Sequence, residues 1–206
     1  TILNTLEEVG YVVPDPQIVN AMFFGVPQHR ERIYIVGFRK DLGIKKDDFS
    51  YPEQKEVTKK WIDVREENPV PAKYYLSTTY IETLKRHKAR HEAKGNGFGY
   101  DIIPDDGIAH AIVVGGMGRE SNLVIDFRQT DLTPTTRIKG EVNRQGWRKM
   151  TPREWARLQG YPDNFRIVVA DASAYKQFGN SVAVPAIQAT AKQLLKTLND
   201  KNILKI

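Results

Sequence analysis

Cysteine is absent from all 206 residues. That excludes disulfide bonds, thiolate metal centres and any thiol nucleophile within these residues, and it fits a cytoplasmic protein. No apolar run approaches the ~18 residues that a membrane-spanning helix requires, and Thr1 opens a helix-like segment rather than a charged-then-apolar leader. No membrane partner and no export signal are expected. Internal repeats and low-complexity tracts are also missing, so neither a repeat architecture nor a domain-sized disordered region is expected.

Hydrophobic residues make up 40% of the chain, enough for one good core or two small ones. Lys and Arg number 31 against 25 Asp and Glu, a formal net charge of +6. An excess of this sign fits a polyanionic partner, because a basic surface releases condensed counterions when it meets phosphates.

Ile2, Leu3, Leu6 and Val9 recur at helical spacing and stop at Gly10, which predicts the end of a helix that begins before Thr1. Tyr11 to Val13 and Ile18 to Phe24 read as extended, and Ile33 to Phe38 as a short buried strand, with the basic run QHRER (28–32) as the turn between strands. Lys40 to Lys60 is charged and irregular. A short helix is predicted over Trp61 to Glu67, and Pro69 and Pro71 mark a boundary near 72. Thr79 and Glu82 have the spacing of a capping box at the head of a basic helix that runs to Lys94 and ends at Gly95. From there to Gly146, apolar runs at Ala111 to Val114 and Leu123 to Ile125, cut by glycine- and threonine-rich turns, predict a small twisted sheet with long loops.

Thr151-Pro152-Arg153-Glu154 carries three helix-start cues together: a threonine cap, proline at the first helical position and glutamate three residues after the cap. Gly160 and Pro162 stop that helix. Pro185 opens a last helix on which Ile187, Ala191, Leu194, Leu195 and Leu198 share an apolar face, suited to pack on the body that holds the first strands.

Three stretches stand in a telling order: FFGVPQHRERIYIVGFR at 23–39, RKMTPREWARLQGYPDNF at 148–165 and AYKQFGNSVAVP at 174–185. Together they resemble the C-terminal motifs of DNA (cytosine-5) methyltransferases. The resemblance implies an α/β fold: the C-terminal part of a Rossmann-like S-adenosylmethionine-dependent methyltransferase domain plus a small mixed target-recognition domain. Residues 1–72 would be part of the catalytic domain, 73–170 the target-recognition domain and hinge, and 171–206 the return to the catalytic domain. The family's glycine-rich cofactor loop, Pro-Cys nucleophile and Glu-Asn-Val segment do not occur in the chain. The implied partners are therefore double-stranded DNA and an N-terminal catalytic half, in the same gene or as a separate subunit. The chain alone is expected to be inactive, and the setting is restriction-modification. The rival is a non-catalytic DNA-binding or regulatory module.

In the family this chain resembles, a thiolate adds to C6 of a flipped-out cytosine, and the resulting enamine attacks the methyl group of S-adenosylmethionine. Electron density moves towards N3 and O2, so a fixed cation beside O2 stabilises the transition state more than the ground state. Arg32 matches the family position given that role, and Arg30 one associated with the DNA backbone and active-site geometry. A guanidinium suits both tasks because it stays charged at any working pH. A pure DNA reader would have no need of an arginine at cytosine O2, which argues against the rival.

Asn180, Ser181 and Val182, in GNSV, match the motif that lies against the cofactor. Gly179 permits close backbone approach, although the same tetrapeptide also reads as a helix-capping turn ahead of Pro185. Arg153 and Arg157 in TPREWARLQG are assigned to scaffolding. No metal is called for: His87 and His91 are four apart, but Lys88 and Arg90 flank them in place of a metalloprotease glutamate, and they read as a solvated basic face.

For DNA contact, Gly115 to Arg119 form a loop that could enter a groove, with Arg119 able to read guanine, or a plain surface turn. Thr133-Pro134-Thr135-Thr136-Arg137 loosely resembles a Thr-Leu-Thr-type segment beside the family's recognition loop. Arg137, Lys139, Arg144 and Arg148 would then line the DNA face.

Overall fold

The computed structural model describes residues 1–115, 118–133 and 140–204. Thr1 Oγ1 accepts from Asn4 N at the head of Ile2–Glu8 (α1). Tyr11–Val12 (β1) and Gln17–Asn20 (β2) follow. The extended stretch expected to reach Phe24 stops at Asn20, whose side chain accepts from Met22 N at 3.3 Å and opens a 3-10 turn over Ala21–Phe24. Next come Gln28–His29 (β3), Glu31–Tyr34 (β4) and Phe38–Arg39 (β5). The basic run is therefore strand rather than turn. β2 and β4 are antiparallel, with Val19 opposite Arg32 and Asn20 opposite Glu31, and β1 pairs with β5.

β3 pairs in parallel with Ala109–His110 (β6), Gln28 opposite Ala109 and His29 opposite His110. In place of a helix to Glu67 there is one 3-10 turn, Trp61–Val64, docked by bonds from Trp61 N and Ile62 N to the carbonyls of Gly107 and Asp105. The basic helix is Thr78–Glu92 (α2). Ser77, not Thr79, caps it by accepting from Tyr80 N at 3.2 Å. Leu123–Ile125 (β7) pairs with Trp147–Lys149 (β8), a strand not anticipated from sequence. Pro152–Leu158 (α3) has both halves of the expected capping box, Glu154 N to Thr151 Oγ1 at 3.1 Å and Thr151 N to Glu154 Oε2 at 2.7 Å. Asp171–Asn180 (α4) and Val184–Asp200 (α5) complete the chain. Among the described residues no helix is long and apolar enough to cross a membrane.

The largest apolar cluster joins Trp61, Ile112, Val124, Met150, Trp155, Tyr175 and Phe178. It draws on each of the stretches 1–72, 73–170 and 171–206. Leu194 and Leu198 of α5 pack on Val36, Phe38, Ile44 and Phe49, so the last helix does cover the first-strand body. Ile187 and Leu195 of the same face stay exposed.

Arg148 corrects the expected DNA face. It is fully buried and cannot reach a nucleic acid. Its Nη1 and Nη2 donate to the two oxygens of Glu154, each at 2.8 Å, and its Nε to Asp126 at 3.0 Å. Arg128 reaches Asp126 from the other side, Nη2 to Oδ2 at 2.7 Å. Burial works to raise the Asp126 carboxyl, but the hydrogen bonds from Arg128 and the charges of both arginines outweigh it and hold the group well below its usual range. Arg148→Ala leaves two buried carboxylates without their shared cation and should destabilise the protein by about 3–5 kcal/mol at neutral pH. Stability from a depressed carboxyl is present above its unfolded pKa of about 4 and is lost as pH falls through the folded value. The deficit of the variant should therefore narrow as the pH is lowered. Urea unfolding of both proteins at pH 7 and about pH 2 checks this, and a deficit under about 1 kcal/mol at pH 7 would count against the hub.

Candidate active site

Asn20 clamps the junction between β3 and β4. The side-chain oxygen that opens the 3-10 turn also accepts from Arg30 N at 3.1 Å, and Ala21 N donates to the Arg30 carbonyl at 3.0 Å. The Arg30 side chain is buried among three carbonyls: Nη1 donates to Ile112 O at 2.7 Å, and Nη2 to Gly179 O at 3.1 Å and Ser181 O at 2.8 Å. It pairs with no carboxylate among the described residues, and its Nε has no partner there. Burial, reinforced by the Arg32 charge, pushes the guanidinium down to about 10, which leaves it charged at neutral pH.

Two residues further along an extended chain, Arg32 is directed to the same side. Its side chain is exposed, and its hydrogen bond among the described residues is to the neighbouring Glu31 carbonyl, at 2.6 Å. Arg30 and Arg32 line one cleft of about 360 Å³ together with Asn180, Ser181 and Val182. The structure thus brings the sequence-predicted catalytic and cofactor residues to a single site. Val19, Ala21 and Ala186 give that cleft an apolar floor.

The turn between α4 and α5 forms the opposite wall. Gly179 is buried, and a Cβ there would lie 2.6 Å from Val114 Cγ2, so only glycine lets the end of α4 sit this close to the 113–114 segment. The Ser181 hydroxyl is already committed: it accepts from Tyr161 OH at 3.2 Å and donates to Val182 O at 3.0 Å. The Asn180 amide is exposed and has no protein partner among the described residues, which makes it the free polar group of the three. A buried cation lacking a counter-ion, a second cation at the rim, a free amide and an apolar floor suit a ligand with a polar or anionic end and an apolar body.

Sequence reasoning missed the residues that hold these walls together. Gln28 and Gln159 are fully buried. Gln28 Oε1 accepts from Ile112 N at 3.0 Å, and its Nε2 donates to Leu158 O at 2.9 Å and Gln159 Oε1 at 3.3 Å. Gln159 Nε2 donates to Phe178 O at 2.7 Å and Ser181 O at 3.3 Å. The available signal was position: each glutamine adjoins a Pro or Gly inside a motif block. Tyr34 also lines the cleft, its hydroxyl raised by burial against the opposing pull of Arg30 and Arg32.

The expected DNA-facing residues separate. Arg119 is exposed at the head of a 3-10 turn, Glu120–Asn122, its guanidinium 5.4 Å above the Tyr175 ring. Arg144 is exposed and forms no ion pair among the described residues. Arg148 is interior, as above. Arg137 and Lys139 lie outside the described residues. Arg157 bonds Asp163 and the carbonyls of Val64 and Arg65, and Arg153 the carbonyl of Phe165, so both act as scaffold. Among the described residues no cluster of three or more His, Cys, Asp or Glu could hold a metal.

The model of the C-5 cytosine-specific DNA methylase family matches residues 1–196. This chain belongs to that family. It is 71% identical over 201 residues to the Type II methyltransferase M.HpaII of Haemophilus parainfluenzae, covering 97% of this chain and 56% of that protein. It is 38% identical to the Type II methyltransferase M.SsoII of Shigella sonnei, covering 96% and 48%. The chain thus spans about half the length of the curated relatives it matches. Among solved structures, a Dnmt2 methyltransferase of S. pombe superposes with a TM-score of 0.66 at 20% identity, over 96% of this chain and 61% of that one. The fold is that of the C5 methyltransferases, α/β with mixed helices and short strands. Enzymes of this family take their methyl group from S-adenosylmethionine.

The two arginines of the methylase motif should behave differently on removal. Arg30→Ala strips donors from the carbonyls of Ile112 and Gly179, and from that of Ser181, which Gln159 still holds, and should lower stability by about 1–3 kcal/mol for each buried one left unpaired. Arg32→Ala should leave the unfolding midpoint unchanged, because its side chain is solvent-exposed. Denaturant titration of the two variants checks the contrast, and equal losses would contradict it.

Proposed function

We propose that this chain acts within a DNA (cytosine-5) methyltransferase of the restriction-modification type, which transfers a methyl group from S-adenosylmethionine to C5 of a flipped-out cytosine in a specific duplex sequence. The observation that carries this reading is the single cleft shared by Arg30, Arg32 and residues 180–182. The reaction requires a thiolate, and these residues contain no cysteine. The nucleophile is therefore supplied outside them, and the chain alone is inactive.

S-adenosylmethionine, when bound, supplies the methyl group. Asn180 would hold its polar amino-acid end while Val182 and the apolar floor flank it, and Ser181 keeps the turn in shape through Tyr161. Arg32 stands at cytosine O2 and meets the negative charge that develops there as the thiolate adds to C6. Because the strand and the Asn20 clamp fix its backbone in advance, little reorganisation accompanies the reaction. Arg30 anchors that strand, and its uncompensated charge favours a DNA phosphate at the cleft mouth. Residues 73–170 supply target recognition and hinge, with Arg119, Arg137, Lys139 and Arg144 as phosphate or base contacts. Residues 1–72 and 171–206 belong to the catalytic domain.

Two outcomes test this in the complete methyltransferase. Arg32→Ala should lower kcat by about 10²-fold or more while the Kd for DNA changes little, since the contact strengthens only as charge develops. Arg32→Lys should restore little of the rate, because an ammonium lacks the guanidinium fork. Equal loss of rate and affinity would reduce Arg32 to a phosphate contact. DNA affinity should also fall steeply with salt, with a slope of about −0.9 per phosphate neutralised. Salt-insensitive binding would argue against the DNA-facing assignment.

A further inference from the structure

A second cleft, of about 760 Å³, lies between α2, the segment 97–101 and residues His110, Val113, Gly115, Gly118 and Ser121. We propose that it reads the major-groove edge of a base pair beside the target cytosine, through His110 and Asp101. The inference rests on the methyltransferase reading and deepens it by naming determinants of specificity.

The first argument is placement. His110, on β6, is in register with His29, the residue before Arg30. Beyond it the Ile112 carbonyl accepts from Arg30 and Val114 Cγ2 lies beside Gly179, whereas Val113 and Gly115 line the second cleft. One segment therefore separates the site proposed for the flipped cytosine from this cleft, where a neighbouring base pair would lie.

The second argument is chemistry. His110 Nε2 meets Asp101 Oδ2 at 2.7 Å, and Asp101 Oδ1 accepts from Ile102 N at 2.9 Å. The carboxylate is itself oriented by the backbone, and it fixes the imidazole so that Nδ1 remains for a ligand. Both side chains are about half exposed, at 54% and 51%. A surface pair of this kind adds little to stability. With the Nε2–H donated to the carboxylate, Nδ1 is an acceptor, so it and the carboxylate oxygens suit the amino groups that a base pair shows in the major groove, N4 of cytosine and N6 of adenine.

The walls suit a duplex. His87 and His91 stack with centroids 4.4 Å apart, Phe98 meets His91 edge-on at 5.8 Å, and Phe98 is 69% exposed. His87 Nδ1 is buried without a partner among the described residues. Glycines at 97, 99, 115 and 118 form much of the lining, where a missing side chain allows close backbone approach. Arg86 and Arg90 on exposed positions of α2 offer charge for the phosphates that flank the groove.

The test uses the complete methyltransferase and a set of duplexes in which each base pair flanking the methylated cytosine is changed singly. His110→Ala and Asp101→Asn should each reduce discrimination in kcat/KM at one flanking position by roughly tenfold, leaving discrimination at the other positions in place. Phe98→Ala provides a third reading of the same cleft should either substitution lower the melting temperature. Unchanged discrimination at every position, or a uniform loss over all duplexes, overturns the proposal. If the unsubstituted enzyme methylates no cytosine, the methyltransferase reading itself falls; if it does and the variants keep full discrimination, only the cleft assignment falls.

Discussion

A guanidinium sealed from water holds β7 and β8 to α3. Arg148 lies on β8, Asp126 directly follows β7, and Glu154 stands in the first turn of α3, yet the three form one ionic cluster with no solvent access. Burying such charges is costly unless geometry and hydrogen bonding are nearly complete. Here they are: the planar fork meets Glu154 with two parallel bonds, and Glu154 Oε1 and Oε2 also accept from Glu66 N at 3.1 Å and Thr151 N at 2.7 Å. Arg128 extends the cluster to the carbonyls of Glu66 and Glu67. A lysine could not make this set of contacts, having one nitrogen where the site uses three.

The hub reaches the candidate active site through α3. With its first turn locked by Glu154, that helix delivers Gln159 at its C-terminus, and Gln159 holds the carbonyls of Phe178 and Ser181. Gly160 follows at φ +78, and a Cβ there would overlap the Pro185 ring, so α5 starts directly against the end of α3. Val184 N completes the junction by donating to Gln159 O at 2.8 Å. Neutral amides suit this position because they offer donor and acceptor together and carry no charge to desolvate. The position of the methylase turn at 180–182 is thus set by packing and amide bonds rather than by propensities of its own sequence.

Local signals were legible in the sequence and non-local ones were not. The capping box at Thr151 was readable because all its parts lie within four residues. The α2 cap was misplaced because Ser77, Thr78 and Thr79 are interchangeable as hydroxyls, and only the extended backbone of Ser77 selects it. QHRER looked like a turn because it is an unbroken polar run, which lacks the apolar alternation that marks a strand. Arg148 was placed on the surface because its partners, six and twenty-two residues away, follow no helical or strand period. Arg30, Arg32 and the 180–182 turn were found by motif, and the structure places them around one cleft. The glutamines between them were not found, since a buried amide leaves no trace in charge or hydropathy.

Ile112 ties the chain after β6 to the cleft that Arg30 and Arg32 line. The β3–β6 ladder ends at His110, and the apolar run Ala111 to Val114, expected as strand, is irregular. Both backbone polar groups of Ile112 are nevertheless paired: its N–H donates to Gln28 Oε1 and its carbonyl accepts from Arg30. Two side chains of the segment 28–30 continue by other means the pairing that the backbone gives up. Displacing Ile112 would cost both bonds, about 1–3 kcal/mol for each buried group left unpaired. The segment that borders the second cleft is thereby tied to the residue that anchors the strand of Arg32. A shift of residues 112–115 would break or strain the bond to the Ile112 carbonyl from Arg30, two residues before Arg32.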